Sequence, residues 1–365
     1  MKLEIKQANL VSVLKNAVKF NPPKKQLNEK IYLTFAPNHI VFEAGSIDGY
    51  FRQVVPAVCE NIVQTKLAID GYGRILKAME LLEKDDIIVA EVKENEIHFK
   101  HSNKKNEKVF KFFASQDEIS VVPEIEGGVK ITTLKGHEIK KIWNILKGVV
   151  DKKTVVEKCQ YLGFKSGNPG TIFGLNEHHL VLLKVGVIEH DASVLAGAFS
   201  RFAEISENET DYTFELVNNN IIIRSDFQLV VIPGYNRVLL NLDTYLNIEK
   251  QAGITLEKIN YARLYEAVKT LRHLCGTDTT LEMSKNGKIV LRATDETPTA
   301  PASVEGKETL DGEANAEFKV FINISYLENA LETTIPTQIK LHDIFMVIKG
   351  NSGYETLHLI GLIKK

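Results

Sequence analysis

The densest group of side chains able to do chemistry combines Glu177, His178 and His179 with His190 and Asp191. Imidazoles and carboxylates bind zinc and act as general acids and bases, so one interpretation is a metal-dependent hydrolase. Zinc proteases, however, place two histidines four residues apart on a helix. The adjacent His178 and His179 would instead point to opposite faces of a strand. The hydrolase stays an alternative that lacks the expected ligand spacing.

Other catalytic signatures are missing from the sequence, which contains no nucleophile elbow, P-loop or glycine-rich dinucleotide turn. The three cysteines, Cys59, Cys159 and Cys275, lie far apart and form no CxxC pair. This spacing gives neither a disulfide framework nor a metal knuckle. We therefore predict a protein that is not an enzyme and needs no metal and no cofactor.

Composition and charge restrict the class of protein further. Apolar residues make up 44% of the 365 residues and charged residues 25%, as in soluble globular proteins. Apolar runs are too short to span a bilayer, and the N-terminus alternates like a strand, unlike a signal peptide. We expect a cytoplasmic protein without a membrane partner. Because the formal net charge is −2, contact with nucleic acid would require cations segregated on one face.

A module of one strand, one amphipathic helix and several strands is predicted six times. Helices are predicted at residues 9–20, 71–82, 136–149, 191–204, 260–274 and 325–333 from apolar residues at helical spacing. Two modules fill about 120 residues, so we predict an α+β chain of three similar domains, residues 1–125, 128–245 and 250–365. Residues 122–128 and 241–253 are predicted linkers, and residues 294–315 a long loop with an edge strand.

Basic residues recur on the faces of these helices that point away from the predicted core. They are Lys15, Lys19, Arg74, Lys77, Lys140, Lys141, Lys147, Arg201, Arg263, Lys269 and Arg272. Their recurrence favours contact with DNA phosphates, without reading of bases. Cations are also common on any solvated helix face. A β-rich structural or interaction protein without DNA binding therefore remains an alternative, although such proteins rarely need helices.

Three stretches resemble the beta subunit of bacterial DNA polymerase III, the sliding-clamp family. Residues 232–239 (IPGYNRVL) resemble its pattern FPDYRRVL, and residues 176–180 (NEHHL) stand where it has DGHRL. Residues 321–327 (FINISYL) resemble its Phe-Asn-Val-x-Tyr-Leu stretch. The family's C-terminal Met-Pro-Met-Arg corresponds only to residues 360–364 (IGLIK), which leaves the register of the last strand open by one residue. The resemblance covers essentially the whole chain and leaves open a host, phage or plasmid origin.

The resemblance implies a ring of two three-domain chains, with helices lining a hole for double-stranded DNA and antiparallel sheets outside. Such a ring slides on DNA, tethers a replicative DNA polymerase and is placed there by a clamp loader. The resemblance also adds four loop residues to the DNA-facing cations: Lys24, Lys25, Lys152 and Lys153.

The resemblance further implies a groove that binds short peptides of the polymerase and the clamp loader. The corresponding residues are His178, His179, Leu180, Pro233, Arg237, Val238, Asn323, Tyr326, Phe345, Leu359, Ile360 and Leu362. Apolar walls with a few polar groups suit such a peptide. The alternative is that Leu180, Val238 and Leu359 are ordinary core residues of strands. The implied dimer interface brings Phe110 of one chain near His273 and Leu274 of the other.

Overall fold

The computed structural model describes residues 1–20, 30–46, 49–62, 66–93, 96–102, 107–115, 125–150, 156–277, 279–294 and 305–364. Four predicted DNA-facing residues, Lys24, Lys25, Lys152 and Lys153, lie outside these ranges.

One order of elements occurs three times along the chain. The first repeat contains β1 Lys2–Lys6, α1 Gln7–Phe20, β2 Lys30–Ala36, β3 His39–Ser46, β4 Gly49–Pro56, β5 Val58–Glu60, β6 Lys66–Asp70, α2 Tyr72–Met79, β7 Ile87–Lys93, β8 Glu96–Ser102 and β9 Glu107–Ser115. The second contains β10 Val129–Lys135, α3 Gly136–Leu146, a 3-10 turn Glu157–Gln160, β11 Tyr161–Lys165, β12 Thr171–Leu175, β13 His179–Lys184, β14 Ala192–Leu195, α4 Ala196–Ile205, β15 Asp211–Val217, β16 Asn220–Arg224 and β17 Gln228–Tyr235.

The third repeat is preceded by a short helix, α5 Asp243–Lys250. It contains β18 Ile254–Glu257, α6 Tyr261–Cys275, β19 Thr280–Asn286, β20 Lys288–Thr294, β21 Glu305–Leu310, β22 Glu313–Ala314, β23 Phe318–Asn323, α7 Ile324–Thr333, β24 Ile335–Leu341, β25 Phe345–Asn351 and β26 Glu355–Gly361. Each repeat thus holds two strand–helix–strands units, which confirms the predicted α+β class built from three similar domains. The exact domain boundaries stay a prediction.

The chain divides into two compact units, Met1–Ile139 with Gly197–Asn236, and Lys140–Ala196 with Arg237–Lys365. In the first unit, antiparallel pairing follows the order β10-β15-β16-β17-β4-β3-β2-β6-β9 and continues through β8, β7 and β1 to β5. In the second, one antiparallel sheet has the order β14-β11-β12-β13-β26-β25-β24-β18-β22, and another has the order β21-β20-β19-β23.

The helices bury the faces that apolar spacing predicts. In α1 the buried stripe includes Leu10, Val13, Leu14 and Ala17. In α6 it includes Leu264, Ala267, Val268 and Leu271. Helix α6 starts where the sequence predicts, because the Asn260 side-chain oxygen accepts a hydrogen bond from the Arg263 N–H at 3.1 Å. Each fully buried aliphatic side chain contributes about 1.5–3 kcal/mol, so these stripes fix the helices on their sheets.

Three predictions of local structure differ from what the structure shows. Residues 192–195 form strand β14, and α4 begins only after them. Val194 lies opposite Leu162 of β11, and this pairing outweighs the helical spacing that Val194 and Leu195 also satisfy. The predicted strand at residues 185–188 is reduced to a bridge between Gly167 and Ile188. The predicted linker 241–253 contains α5, because its apolar residues pack on a core cluster.

The edge strand predicted within residues 294–315 is confirmed as β21, which ends the four-stranded sheet. In the described part of the chain, no helix is long and apolar enough to cross a membrane. Cys59, Cys159 and Cys275 are all buried free thiols.

Candidate functional site

The turn between β12 and β13 carries the motif of residues 176–180. The Asn176 side-chain oxygen accepts hydrogen bonds from the backbone N–H groups of His178 (2.9 Å) and His179 (2.7 Å). This local bonding is how asparagine commonly closes a tight turn. The His178 carbonyl accepts a hydrogen bond from the Gly361 N–H at 2.7 Å, which ties the turn to the end of β26. The motif therefore holds both histidines where β13 and β26 meet.

The register of β13 and β26 decides which predicted groove residues share a face. Leu180 lies opposite Leu359, and His179 lies opposite Ile360. Neighbouring strand residues point to opposite faces. Leu180 and Leu359 accordingly join one apolar cluster, and the fully buried Ile360 joins another, against which Leu362 packs. The structure thus fixes the register of the last strand and divides the predicted groove residues between two faces.

What we call the apolar surface consists of five of the six partly buried side chains that pack on the Leu180–Leu359 cluster, all except Val156. They are Val238, Leu240, Tyr245, Ile248 and Phe345. Only Val238 and Phe345 belong to the predicted groove. The sequence prediction missed Tyr245 and Ile248. Leu242, Tyr245 and Ile248 are spaced three residues apart, and this spacing indicates one apolar helix face.

Two further predicted groove residues, Pro233 and Arg237, belong to the motif IPGYNRVL. Arg237 is exposed, and its carbonyl accepts a hydrogen bond from the Ser193 hydroxyl at 2.8 Å, which anchors the chain just before Val238. Pro233 is half-buried in β17 of the first compact unit, opposite Asn220. Arg237 could therefore fix a peptide's polar groups beside the apolar surface.

The second face carries a buried histidine pair. The His179 Nε2 and His358 Nδ1 atoms lie 3.1 Å apart, and the His358 Nε2 atom lies 2.8 Å from the Thr334 hydroxyl. His179 Nδ1 has no hydrogen-bond partner among the described residues. Donation from His179 to His358 and from His358 to Thr334 leaves only a lone pair unmatched, which costs less than an unmatched N–H.

Helix α7 covers this pair with an aromatic ring. The Tyr326 ring centroid lies 5.7 Å from that of His179 and 6.4 Å from that of His178. Asn323 caps the helix, because its side-chain oxygen accepts a hydrogen bond from the Ser325 N–H at 2.9 Å. The predicted residues on this face thus make structural contacts. Of the adjacent His178 and His179, His178 is exposed and His179 is buried.

Burial keeps the histidine pair neutral. Burial, followed by the proximity of His358, holds the pKa of His179 well below its usual value. Burial alone lowers the pKa of His358 to about 3. Two neutral imidazoles can share one hydrogen bond, whereas two imidazolium ions at this distance would repel each other.

This burial predicts loss of stability in mild acid. A group whose pKa is lowered by folding contributes its full stabilisation above the pKa of the unfolded state. For His358 that unfolded pKa is 6.5, and the stabilisation is lost as the pH drops from there toward 3. His358 alone should cost about 2 kcal/mol of unfolding free energy between pH 7 and pH 5. The single tryptophan, Trp143, lies in the same compact unit, so its fluorescence during denaturant unfolding can follow the change.

The comparison that isolates the effect uses His358→Gln and, as a control, His190→Gln at an exposed site. His358→Gln should flatten the dependence of unfolding free energy on pH by that amount, while His190→Gln should leave it unchanged. Equal pH dependence in His358→Gln and the parent protein would contradict the assignment.

Several predicted DNA-facing cations of the first unit are engaged locally. The Lys15 ammonium lies 2.8 Å from a Glu80 carboxylate oxygen, and Lys19 is ion-paired with Glu204. Arg201 lies over the ring of Phe20. Exposed pairs of this kind contribute at most about 1 kcal/mol each, and they partly neutralise the cation toward other ligands.

The second unit also engages several cations. Arg272 is ion-paired with the buried Glu328 of α7. The Lys269 and Lys141 ammonium groups lie 5.6 Å and 5.5 Å from the ring centres of Tyr265 and Tyr354. Lys140 is half-buried.

Four cations on the helices or at their ends are exposed and form no ion pair with a described residue. They are Arg74, Lys77, Lys147 and Arg263. Lys147 donates a hydrogen bond to the Asn144 side chain at 3.0 Å. Among the members of the predicted set that the structure describes, these four carry the least compensated positive charge.

Strand β9 has one open edge over most of its length. It pairs with β8 from Glu107 to Phe113, and among the described residues β6 reaches only Ala114 and Ser115. Val109 and Phe113 are 43% and 58% exposed, and Phe110 is half-buried opposite Phe99. An open edge with exposed apolar side chains is an association surface.

Strand β21 ends its sheet in the same way, since β20 is its one partner in the described chain. Leu274 at the end of α6 is 54% exposed and lies next to Gly306 of β21. The neighbouring His273 is exposed as well. The predicted interface residues therefore stand at two open edges of the fold.

Asp191, one of the residues considered for the hydrolase alternative, makes hydrogen bonds that stabilise the local structure. The Asp191 carboxylate accepts hydrogen bonds from the Lys165 ammonium and from the N–H and hydroxyl of Ser166, each at 2.7 Å. The Lys165 and Ser166 bonds outweigh partial burial and lower the pKa of Asp191. Among the described residues, no three His, Cys, Asp or Glu side chains are grouped to hold a metal.

The sequence matches no protein-family model and no curated protein. Solved structures of bacterial clamps are nevertheless similar over 100% of both chains. They include the DNA polymerase sliding clamp of Pseudomonas aeruginosa (13% identity, TM-score 0.84), the Helicobacter pylori beta clamp in complex with carprofen (14%, 0.80) and the beta subunit of DNA polymerase from Streptococcus pyogenes (11%, 0.82). At this level of identity the chain shares their fold.

Proposed function

We propose that the chain is a DNA sliding clamp that tethers a DNA polymerase and catalyses nothing itself. Two copies would close a ring around double-stranded DNA in the cytoplasm. The observation that carries the proposal is the threefold repeat of the fold over the whole chain, shared end to end with bacterial clamps. Because a fold alone does not determine function, the open edges, the uncompensated cations and the apolar surface are needed as further support.

Ring closure follows from the pattern of pairing between repeats. The strand β4 of the first repeat pairs with β17 of the second, and β13 of the second pairs with β26 of the third. The equivalent third pairing would join β21 to β9, and both edges are open. Two chains joined head to tail through β21 and β9 would pair these two edges of both chains and close a ring.

Charge favours this pairing. The edge strand β9 contains one glutamate and two exposed lysines, Lys108 and Lys111, whereas β21 contains one lysine and two glutamates, Glu305 and Glu308. Opposite charges across an antiparallel pair stabilise it, and like charges would oppose pairing of two identical edges. We therefore infer a β21–β9 contact, rather than contacts between two copies of the same edge.

Uncompensated helix cations would hold DNA without fixing its position. A protein of formal net charge −2 has little attraction for DNA outside such a local surface. Contacts to phosphates carry no sequence information, so a ring lined with them can move along the duplex.

Neutralising the uncompensated cations should weaken loading onto DNA in a salt-dependent way. The variant combines Arg74→Ala, Lys77→Ala, Lys147→Ala and Arg263→Ala. For every phosphate that the variant no longer neutralises, the slope of log affinity against log salt concentration should fall by about 0.9. Loading onto nicked circular DNA at several salt concentrations measures this slope.

Four exposed lysines on strands other than β9 and β21 provide the matched control: Lys6→Ala, Lys66→Ala, Lys93→Ala and Lys135→Ala. This control removes the same charge and should retain the parental slope. Equal slopes for the two variants would favour the structural or interaction protein without DNA binding.

We further infer that short peptides of the polymerase and the clamp loader bind at the apolar surface. Val238 and Phe345 are partly buried there and can enclose an aliphatic or aromatic anchor, while Arg237 is available to its polar groups. The assembly needs no metal and no cofactor.

A further inference from the structure

Helix α5 is too short to be stable by itself. It has eight residues, whereas isolated helices shorter than about 12 residues are marginal in water. Leu242 stands at its N-cap without a side-chain cap, and the Asn241 side chain accepts only the Asp243 N–H, at 3.1 Å. Its helical form therefore depends on what its side chains pack against.

Its apolar face packs on the candidate groove. Leu242 is buried, and Tyr245 and Ile248 are partly buried against the cluster that contains Leu180 and Leu359. The Tyr245 and Phe345 rings meet edge to face with centroids 6.4 Å apart. The Tyr245 ring therefore occupies a side of Phe345 that the anchor of a partner peptide would otherwise contact.

The attachment of α5 is confined to side chains. Its terminal backbone bonds, from Tyr245 N–H to Leu242 O and from Gln251 N–H to Ile248 O, remain within the segment. Between described residues, no hydrogen bond joins α5 to another element. The chain is anchored on either side, by the Ser193 bond to Arg237 and by the pairing of β18 with β24. The segment between these anchors can leave without breaking a sheet.

We propose that α5 is an intramolecular lid whose Tyr245 and Ile248 side chains compete with partner peptides for the part of the apolar surface that Val238 and Phe345 form. The inference rests on the proposed function only in naming a partner peptide as the competitor. A protein whose binding-competent state is partly populated shows an affinity reduced by that fraction. Releasing α5 should therefore tighten peptide binding, whereas a helix that formed a wall of the groove would weaken it when disrupted.

Tyr245→Ser with Ile248→Ser releases the lid and keeps Val238 and Phe345, the residues of the apolar surface that also belong to the predicted groove. The control Thr244→Ala with Lys250→Ala alters exposed positions of the same helix. The first readout is independent of function: Cys159 lies fully buried in the cluster under α5, and Cys275 lies in a different cluster. In the released variant, the rate at which N-ethylmaleimide modifies Cys159 should rise about tenfold, the factor that corresponds to about 1.4 kcal/mol. The rate at Cys275 should not change.

The second readout is the affinity of a fluorescein-labelled nine-residue peptide with a leucine–phenylalanine pair near its C-terminus. We expect about tenfold tighter binding to the released variant than to the parent or the control. If the double variant misfolds, Ile248→Ser alone replaces it, and circular dichroism establishes that the fold is kept.

The outcomes separate the lid from the proposed function. Unchanged labelling of Cys159 would overturn the lid, whatever the chain does in the cell. Faster labelling with weaker peptide binding would make α5 a wall and also overturn the inference. Faster labelling without peptide binding to any variant would overturn the competition and, separately, the partner groove of the proposed function.

Discussion

Phe110→Ala combined with Leu274→Ala is expected to convert a dimer into soluble monomers. Both residues stand at the open edges of β9 and β21, and Leu274 is 54% exposed in the single chain. Apolar residues that become buried at the centre of an interface typically contribute about 2 kcal/mol or more each. Because a ring has two such interfaces, the dimer of the variant should dissociate completely into monomers at about micromolar protein concentration. Sedimentation should show the change from twice the chain mass to 41.0 kDa.

The matched control for this experiment is Val58→Ala with Ile335→Ala, at side chains that are 54% and 75% exposed on other strands. This control should remain dimeric, because neither residue lies on β9, on β21 or beside them. A Phe110→Ala/Leu274→Ala variant that sediments as the parent dimer would show that the chains associate through another surface.

Val238→Asp is expected to abolish stimulation of a DNA polymerase while the ring still forms. An aspartate at the centre of the apolar surface would have to lose its hydration when an apolar anchor binds, and the buried anchor itself contributes about 1.5–3 kcal/mol. Peptide affinity should fall by about one to two powers of ten or more. Primer extension on circular templates, together with direct peptide titration, measures the loss.

The control Val187→Asp introduces the same charge at a residue that is 52% exposed in a turn, and it should keep full stimulation. Leu180 and Leu359 are unsuitable targets, because they are 5% and 1% exposed and their truncation would test core stability. Removing residues 359–365 is unsuitable too, since β26 lies between β13 and β25. Undiminished processivity of a folded Val238→Asp protein would refute the groove.

The helices with long apolar stripes were predictable because periodicity and burial agree along them. In α6, for example, the spacing of Leu264, Val268 and Leu271 and the cap Asn260 specify both the face and the start. Residues 192–195 were not predictable in this way. Val194 fits a helix and a strand equally well, and only the pairing with Leu162 decides between them.

The groove illustrates the same limit. Sequence motifs bring His179, Leu180 and Tyr326 to one region, but the alternation of β13 places His179 and Leu180 on opposite faces. Helix α5 has the apolar spacing of a helix, yet its eight residues form one only because they pack against a cluster of residues that are distant in the sequence. Tertiary packing, which local pattern does not encode, supplies the difference.

Retention on closed DNA tests the central claim most directly. The chain would be assembled at high concentration on a nicked circular plasmid, separated from free protein by gel filtration, and followed after the circle is cut once. A ring that encircles the duplex should stay on the uncut circle at a salt concentration that screens phosphate contacts, and should leave once free ends exist. Equal loss from the circular and the linear DNA would contradict the account, because it would mean that the chain binds the surface of the duplex without enclosing it.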